Sequence, residues 1–238
     1  MVETYMSFGA PADTGNLTSI LGAGAMPVLQ LNPYSVSLTS VAGGRYDAYL
    51  KRFALSLSQL GHPVVLSFAA EANGIWYSWS CRHTTAATYI AAWRHVHNVI
   101  SRYDPHVIWM WDVNVNFAGA CPLTARWPGP SYVDWVGVDG YLRQPGASFA
   151  NVLAPTMTTL RSFTGKPMLI AETGVPNSPE AASWLASIFS GAEAIPGMIG
   201  VVYFDAVTSK HNYRLEQDPP ARTVFQHWAK IYQSTKRS

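Results

Sequence analysis

Seven short apolar runs, each followed by a stretch long enough to hold a helix, limit what this chain can become. They are Thr4 to Phe8, Met26 to Leu31, Val64 to Phe68, Val107 to Trp111, Val133 to Asp139, Met168 to Ala171 and Ile199 to Phe204. Most are apolar at odd and even positions alike, as parallel strands covered on both faces are. Between the second and third, Arg45 to Leu60 sets Tyr46, Tyr49, Leu50, Phe53, Leu57 and Leu60 along one helical face. Further helices are expected over Thr84 to Arg102, Asn151 to Phe163, Pro179 to Phe189 after a capping Ser178, and Pro219 to Tyr232 after a capping Asp218. Strand and helix in alternation mean βα units, in an open doubly wound sheet or a closed barrel. No Gly-rich loop follows the first strand, which weakens the nucleotide-binding option. Polar and aromatic residues gather instead at strand carboxyl ends: Glu71, Asp112 with Asn114, Asp139 with Tyr141, Glu172 and Asp205. A (β/α)8 barrel of the TIM type builds its active site from such ends. The expected fold is therefore one α/β barrel domain over residues 1–238, with seven strand candidates where closure wants eight.

Composition narrows the partners. Charged residues make up 13% and the formal net charge is +2, so no broad basic face exists to follow a phosphate backbone, and nucleic acid is excluded. No apolar run approaches the roughly 20 residues that span a bilayer, so membrane insertion is not expected. The first residues also lack a basic start and apolar stretch, so any secretion signal would lie outside this chain. The seven His residues show no ligand spacing, no Gly-x-Ser-x-Gly elbow occurs, and neither a metal nor a cofactor is implied. Cys81 and Cys121 fall in two loops that follow strands. They are either unrelated thiols or a disulfide across a shared rim, and without metal spacing a disulfide suits them better than zinc. A disulfide would imply an oxidising compartment, and an extracellular, monomeric protein is the expectation.

Two of only six Glu residues close apolar strands. Glu71 opens into a loop carrying Trp76, Tyr77 and Trp79, which sets a proton donor beside flat rings of the kind that stack on sugars. Glu172 ends Pro167-Met168-Leu169-Ile170-Ala171-Glu172. Either one alone could be a strand-end carboxylate that accepts backbone donors. Together they are what glycoside hydrolysis needs, one carboxyl to protonate the leaving oxygen and one to attack or to activate water. Trp76 and Trp79 are the preferred sugar platforms, and Phe204, closing the last strand, joins the substrate-contact candidates. Asp139, in an Asp-Gly turn, reads as structural or as supporting the site.

Gly44-Arg45-Tyr46-Asp47-Ala48-Tyr49, the block His62 to Trp79, Ala91 to His97, Tyr132 to Tyr141, Lys166 to Gly174 and Tyr213 to Pro219 together resemble glycoside hydrolase family 26. The resemblance runs through nearly the whole chain. It implies a clan A barrel, with Glu71 as acid/base at the end of strand four and Glu172 as nucleophile at the end of strand seven. By that count the missing strand is the first. Tyr141 matches the tyrosine that bonds the nucleophile, while Trp111 and Asn114 match the family's strand-five Trp and Asn. With Trp76, Trp79 and Phe204 these form the substrate-binding set, and Asn73 and Asp139 support it.

The chain also departs from the pattern. Ser67 and Ala70 stand where the family's Arg-Phe-x-His-Glu has Arg and His, and Asp112-Val113 replaces Ser-Pro. The function expected is a retaining endo-β-glycosidase acting on a mannan-type or related β-linked polysaccharide. The alternative is a catalytically weakened barrel that binds glycan without cutting it.

Overall fold

The computed structural model describes residues 1–235. Seven strands, β1 (Val2–Ser7), β2 (Pro27–Asn32), β3 (Val65–Phe68), β4 (Ile108–Asn114), β5 (Trp135–Asp139), β6 (Met168–Thr173) and β7 (Met198–Tyr203), lie in one sheet whose order follows the chain. The pairs β1–β2, β2–β3, β3–β4 and β6–β7 are parallel. All seven expected strands are present with slightly shifted ends. β4 runs on past Trp111, so Asp112 and Asn114 belong to the strand itself. Among the described residues no helix is long and apolar enough to cross a membrane.

The chain packs as two compact units. The first, Met1–Val136, holds α1 (Thr14–Gly22), α2 (Leu38–Ala42), α3 (Asp47–Ser58) and α4 (Ala86–Tyr103). α4 opens on Thr85, whose side chain accepts from the Thr88 amide, an N-cap that satisfies one orphan donor. Its buried stripe, Tyr89, Ala92, Trp93, Val96 and Ile100, has the spacing of one helical face. Trp93 meets Phe68 of β3 and Trp109 of β4 at 6.3 and 6.2 Å between ring centroids. β2 and β3 are buried along their whole length, which explains why both are mostly apolar, with Gln30, Asn32 and Ser67 as buried polar exceptions.

The second unit, Gly137–Ser238, holds α5 (Phe149–Val152), α6 (Ala154–Arg161), α7 (Ala181–Glu193) and α8 (Pro219–Thr235). The single helix expected from Asn151 to Phe163 is two, because Pro155 lacks the amide that would continue the first through Leu153. Ser178 does not cap α7. The helix starts later, at Glu180 without a side-chain cap, and the buried Ser178 hydroxyl has no hydrogen-bond partner among the described residues. Asp218 does cap α8, accepting from the Ala221 amide at 3.1 Å. Phe189 of α7 stacks on Trp228 of α8 at 5.7 Å. Gly191 of α7 lies hard against the Phe149 ring, where an added Cβ would fall 2.1 Å from Cδ1.

Candidate active site

In the first unit, β3 ends and the backbone turns sharply. Ala69 and Glu71 both adopt positive φ, 52° and 54°, a region costing a side-chain-bearing residue about 1 kcal/mol or more. Three successive amides hold them there. Ala69 N donates to Leu31 O (3.1 Å), Ala70 N to Asn32 Oδ1 (3.2 Å) and Glu71 N to Asp112 O (3.0 Å), so the turn is laced to β2 on one side and β4 on the other. Asn73 completes the frame. Its amide donates to Asn114 O at 2.8 Å and accepts from Asn114 N at 2.9 Å, imitating one more rung of a ladder.

That frame brings Asn114 Nδ2 onto Glu71 Oε1. Trp76 Nε1 donates to the other oxygen, Oε2, at 3.0 Å. Each carboxyl oxygen thus meets an N–H, which fixes the plane of the group. The indole of Trp76 is 46% exposed and stacks on Phe117 at 5.4 Å. Gly74 allows the close approach, since a Cβ there would sit 2.7 Å from Trp76 Cζ2. Cys81 and Cys121 are bonded, with Cα atoms 6.1 Å apart, and the Cys121 amide donates to Asn73 O. The disulfide therefore staples this loop to the segment after β4.

Two expected sugar contacts are placed elsewhere. Trp79 is 1% exposed; its Nε1 donates to Ala70 O at 2.7 Å, and Tyr77 covers one ring face at 4.2 Å. Trp111 is fully buried and packs edge-on against Trp127. The cause is strand alternation: Trp111 shares the face of Trp109, which bonds Ser101 of α4. The sequence reading also passed over Tyr34, 48% exposed with its ring edge against Tyr77 and Trp79. Phe117 was missed as well. Neither lies in a recognisable pattern, because both come from loops.

In the second unit, β6 carries Glu172 at its end, half-buried. Tyr141 donates its hydroxyl to Glu172 Oε1. Burial, then the negative charge of Glu172, push the Tyr141 phenol far above its usual range, with Asp139 adding to the rise. It remains a donor at any working pH. The amides of Gly140 and Leu142 bond Glu172 O and Gly174 O, at 2.9 and 3.2 Å, and so carry the β5 chain alongside β6. Gly174 lets two rings close in: an added Cβ would lie 2.8 Å from Tyr213 and 3.1 Å from Tyr141. Phe204 stands edge-on to both, at 5.9 Å from Tyr141 and 5.8 Å from Tyr213. Asp139 is buried. Asp205, also at a strand end, accepts from the Leu215 amide and so shapes a turn. Among the described residues no cluster of three or more His, Cys, Asp or Glu is arranged to hold a metal ion.

The model of glycosyl hydrolase family 26 matches residues 30–175. The chain belongs to glycosyl hydrolase family 26. Over 222 residues it is 27% identical to endoglucanase H of Acetivibrio thermocellus, covering 87% of this chain and 24% of that protein. It is 30% identical over 142 residues to the β-1,3-xylanase TXYA of a Vibrio species, covering 52% of this chain and 29% of the xylanase. The chain thus spans less than a third of the length of either relative. Among solved structures, the family 26 β-mannanase of Bacteroides ovatus aligns with a TM-score of 0.68 at 18% identity, over 92% of this chain and 72% of that one. An endo-β-1,4-mannanase of Cellulomonas fimi, a double mutant, gives the same TM-score at 17% identity, over 90% and 56%. The family 26 fold, a TIM-type (β/α)8 architecture, is therefore the fold of this chain, here with seven strands.

Proposed function

We propose that this family 26 chain is a retaining endo-β-glycosidase that cleaves a β-linked polysaccharide. The observation that carries the reading is that both strand-end glutamates are held by named donors: Glu172 by the Tyr141 hydroxyl, Glu71 by Asn114 and Trp76. In the first step Glu71 gives its proton to the glycosidic oxygen as Glu172 attacks the anomeric carbon. The sugar–oxygen bond breaks, and a glycosyl–Glu172 ester forms. In the second, Glu71 takes a proton from the incoming water, which releases the sugar with its original configuration. Tyr141 sets the orientation of Glu172 and stabilises it as the ester departs. The mechanism requires the two carboxyl groups to stand about 5 to 5.5 Å apart.

The exposed Trp76, with Tyr77 and Tyr34 nearby, supplies the ring surfaces for the glycan; Trp79 supports Tyr77 from below. The relatives' names span β-glucan, β-1,3-xylan and β-1,4-mannan hydrolases, so the backbone sugar is best found by assay. The disulfide supports an extracellular site of action. Reducing-end release is to be measured across mannan, glucomannan, β-1,4-glucan and β-1,3-xylan, with Glu172→Ala as the blank. Release from at least one polymer, abolished in the blank, is the expected result. Binding without release would favour the weakened barrel, and an inverted anomer in the product would refute the double displacement.

A further inference from the structure

The loop after β5 builds a feature that hydrolysis alone does not need. Arg143 lays its guanidinium over the Tyr141 ring, 4.0 Å from Cζ to centroid, and its Nε donates to the Tyr213 hydroxyl at 2.7 Å. Two anchors therefore fix an arginine that the chain leaves exposed. Exposed arginines usually wander in solvent or pair with a carboxylate. The ion pairs among the described residues are His95–Asp47 and Arg214–Glu216, and Arg143 belongs to neither. With Nε engaged by Tyr213, the two terminal amino groups are left as further donors.

Arg143 lines a cavity of about 430 Å³ shared with Tyr141, Gln144, Pro145 and Asn151, and none of the lining residues is acidic. The cavity wall is preformed. Asn151 donates to Gly146 O and accepts from the Ser148 amide, both at 2.8 Å, which locks the loop across the positive-φ Gly146. A rigid guanidinium that joins neither of these ion pairs, set in a concave site, selects a planar anion that can accept two parallel N–H donors. Among the parts of a glycan that anion is the carboxylate of a uronic acid.

We infer that this cavity is a subsite for a uronic acid residue, so that the polysaccharide cleaved carries carboxylated sugars beside the scissile bond. The inference rests on the glycosidase reading above and narrows its substrate. The ring of Tyr141 joins the two, because one edge carries the hydroxyl on Glu172 while its face carries Arg143.

Two measurements test it. In the first, D-glucuronate and D-glucose are titrated by NMR into the wild-type protein and into Arg143→Gln. Glucuronate is expected to bind roughly tenfold more tightly than glucose, with the difference lost in Arg143→Gln, partly kept in Arg143→Lys, and reduced by added salt. Equal binding of the two sugars, or discrimination that survives in Arg143→Gln, overturns the subsite. In the second, the backbone found by the panel is compared in its neutral form and in an oxidised form that carries uronic acids, made by light C6 oxidation of a hexan or, for the xylan, by attaching C6-oxidised glucose as side groups. Arg143→Gln should lower the ratio of kcat/KM, oxidised to neutral, by about tenfold. If Arg143 serves only to hold Tyr141, both values fall together and the ratio stays, which also overturns the subsite. Should no backbone be hydrolysed, the glycosidase reading fails, while the titration still decides whether the cavity binds a uronic acid.

Discussion

Gly74→Ala separates the catalytic geometry from the stability of the fold. Gly74 is not among the positive-φ glycines, so alanine meets no φ barrier there. The obstacle is Trp76. The new Cβ would lie 2.7 Å from Cζ2 and 2.8 Å from Cε2 of the indole, with Glu71 O at 3.0 Å. Because the ring is 46% exposed, it can swing toward solvent at little cost. The entropy lost from the unfolded chain on replacing Gly contributes about 0.4–1 kcal/mol in the opposite direction. The net change in stability should stay within about 1 kcal/mol, or roughly 2–4 °C in Tm for a chain of this size. What the ring cannot keep is its 3.0 Å bond to Glu71 Oε2. A hydrogen bond to a charged group contributes about 1.5–3 kcal/mol, and partial replacement by water puts this one at the low end. About 1.4 kcal/mol is tenfold in rate.

The expected outcome is a loss of about tenfold in kcat/KM with Tm nearly unchanged. Trp76→Phe removes the same N–H without moving Gly74, so the double variant should be no worse than Trp76→Phe alone. An unchanged kcat/KM in Gly74→Ala, or losses that multiply in the double variant, would refute the coupling of Gly74 to Glu71 through Trp76.

Tyr141→Phe removes the donor to Glu172 and should lower kcat by about tenfold to a hundredfold, with far-UV circular dichroism unchanged. Cys81→Ser with Cys121→Ser opens a loop of sequence separation 40, and chain entropy puts the loss at up to about 4 kcal/mol, measurable by urea denaturation. Gly191→Ala should destabilise despite the helix propensity gained, about 1 kcal/mol. Its Cβ would enter the Phe149 ring, and overpacking costs typically about 1–3 kcal/mol or more. Burial raises the phenols of Tyr89, Tyr141 and Tyr203 above the ordinary tyrosine value of 10.0. Above about pH 10 the unfolded chain therefore loses protons the folded one keeps, and calorimetric stability should decline as pH rises through that point.

The parts legible in the sequence were those with a period or an abrupt chemical change. Strands buried on both faces read as apolar runs, α4 as a stripe ending in Trp93, Val96 and Ile100, and the two glutamates as charges closing apolar segments. α1 and α2 were missed because each buries only two residues, too few to establish a period. Trp79 and Trp111 were misjudged for a different reason. Aromatic residues beside a catalytic carboxylate suit a platform and a core equally, and only the hydrogen bond to Ala70 O and the alternation of β4 tell which. The positive φ of Ala69 and Glu71 left no trace in composition, since tertiary hydrogen bonds rather than glycine impose it.

The departures at Ser67 and Ala70 take on a different meaning once their neighbours are known. Ser67 is fully buried, pairs in register with Gln30 of β2, and has no hydrogen-bond partner for its hydroxyl among the described residues. Gln30 donates through Nε2 to Asp112 Oδ2 and to Glu3 Oε1, both at 3.0 Å. Asn32 in turn donates to Gln30 Oε1 at 3.2 Å and accepts the Ala70 amide. Where the family pattern has a cation and an imidazole, this chain has two side-chain amides: Gln30 meets the Asp112 carboxylate, and Asn32 holds the turn carrying Glu71. An arginine introduced at the fully buried Ser67 would have to compete with Gln30 for the Asp112 carboxylate, and a buried guanidinium left unpaired would cost several kcal/mol, on the order of 3–5. The exchange is therefore one of a whole buried network, Gln30, Asn32, Ser67, Ala70 and Asp112, and not of two separable residues. The network touches the turn rather than the exposed rings, so its contact with the site is through the position it gives Glu71.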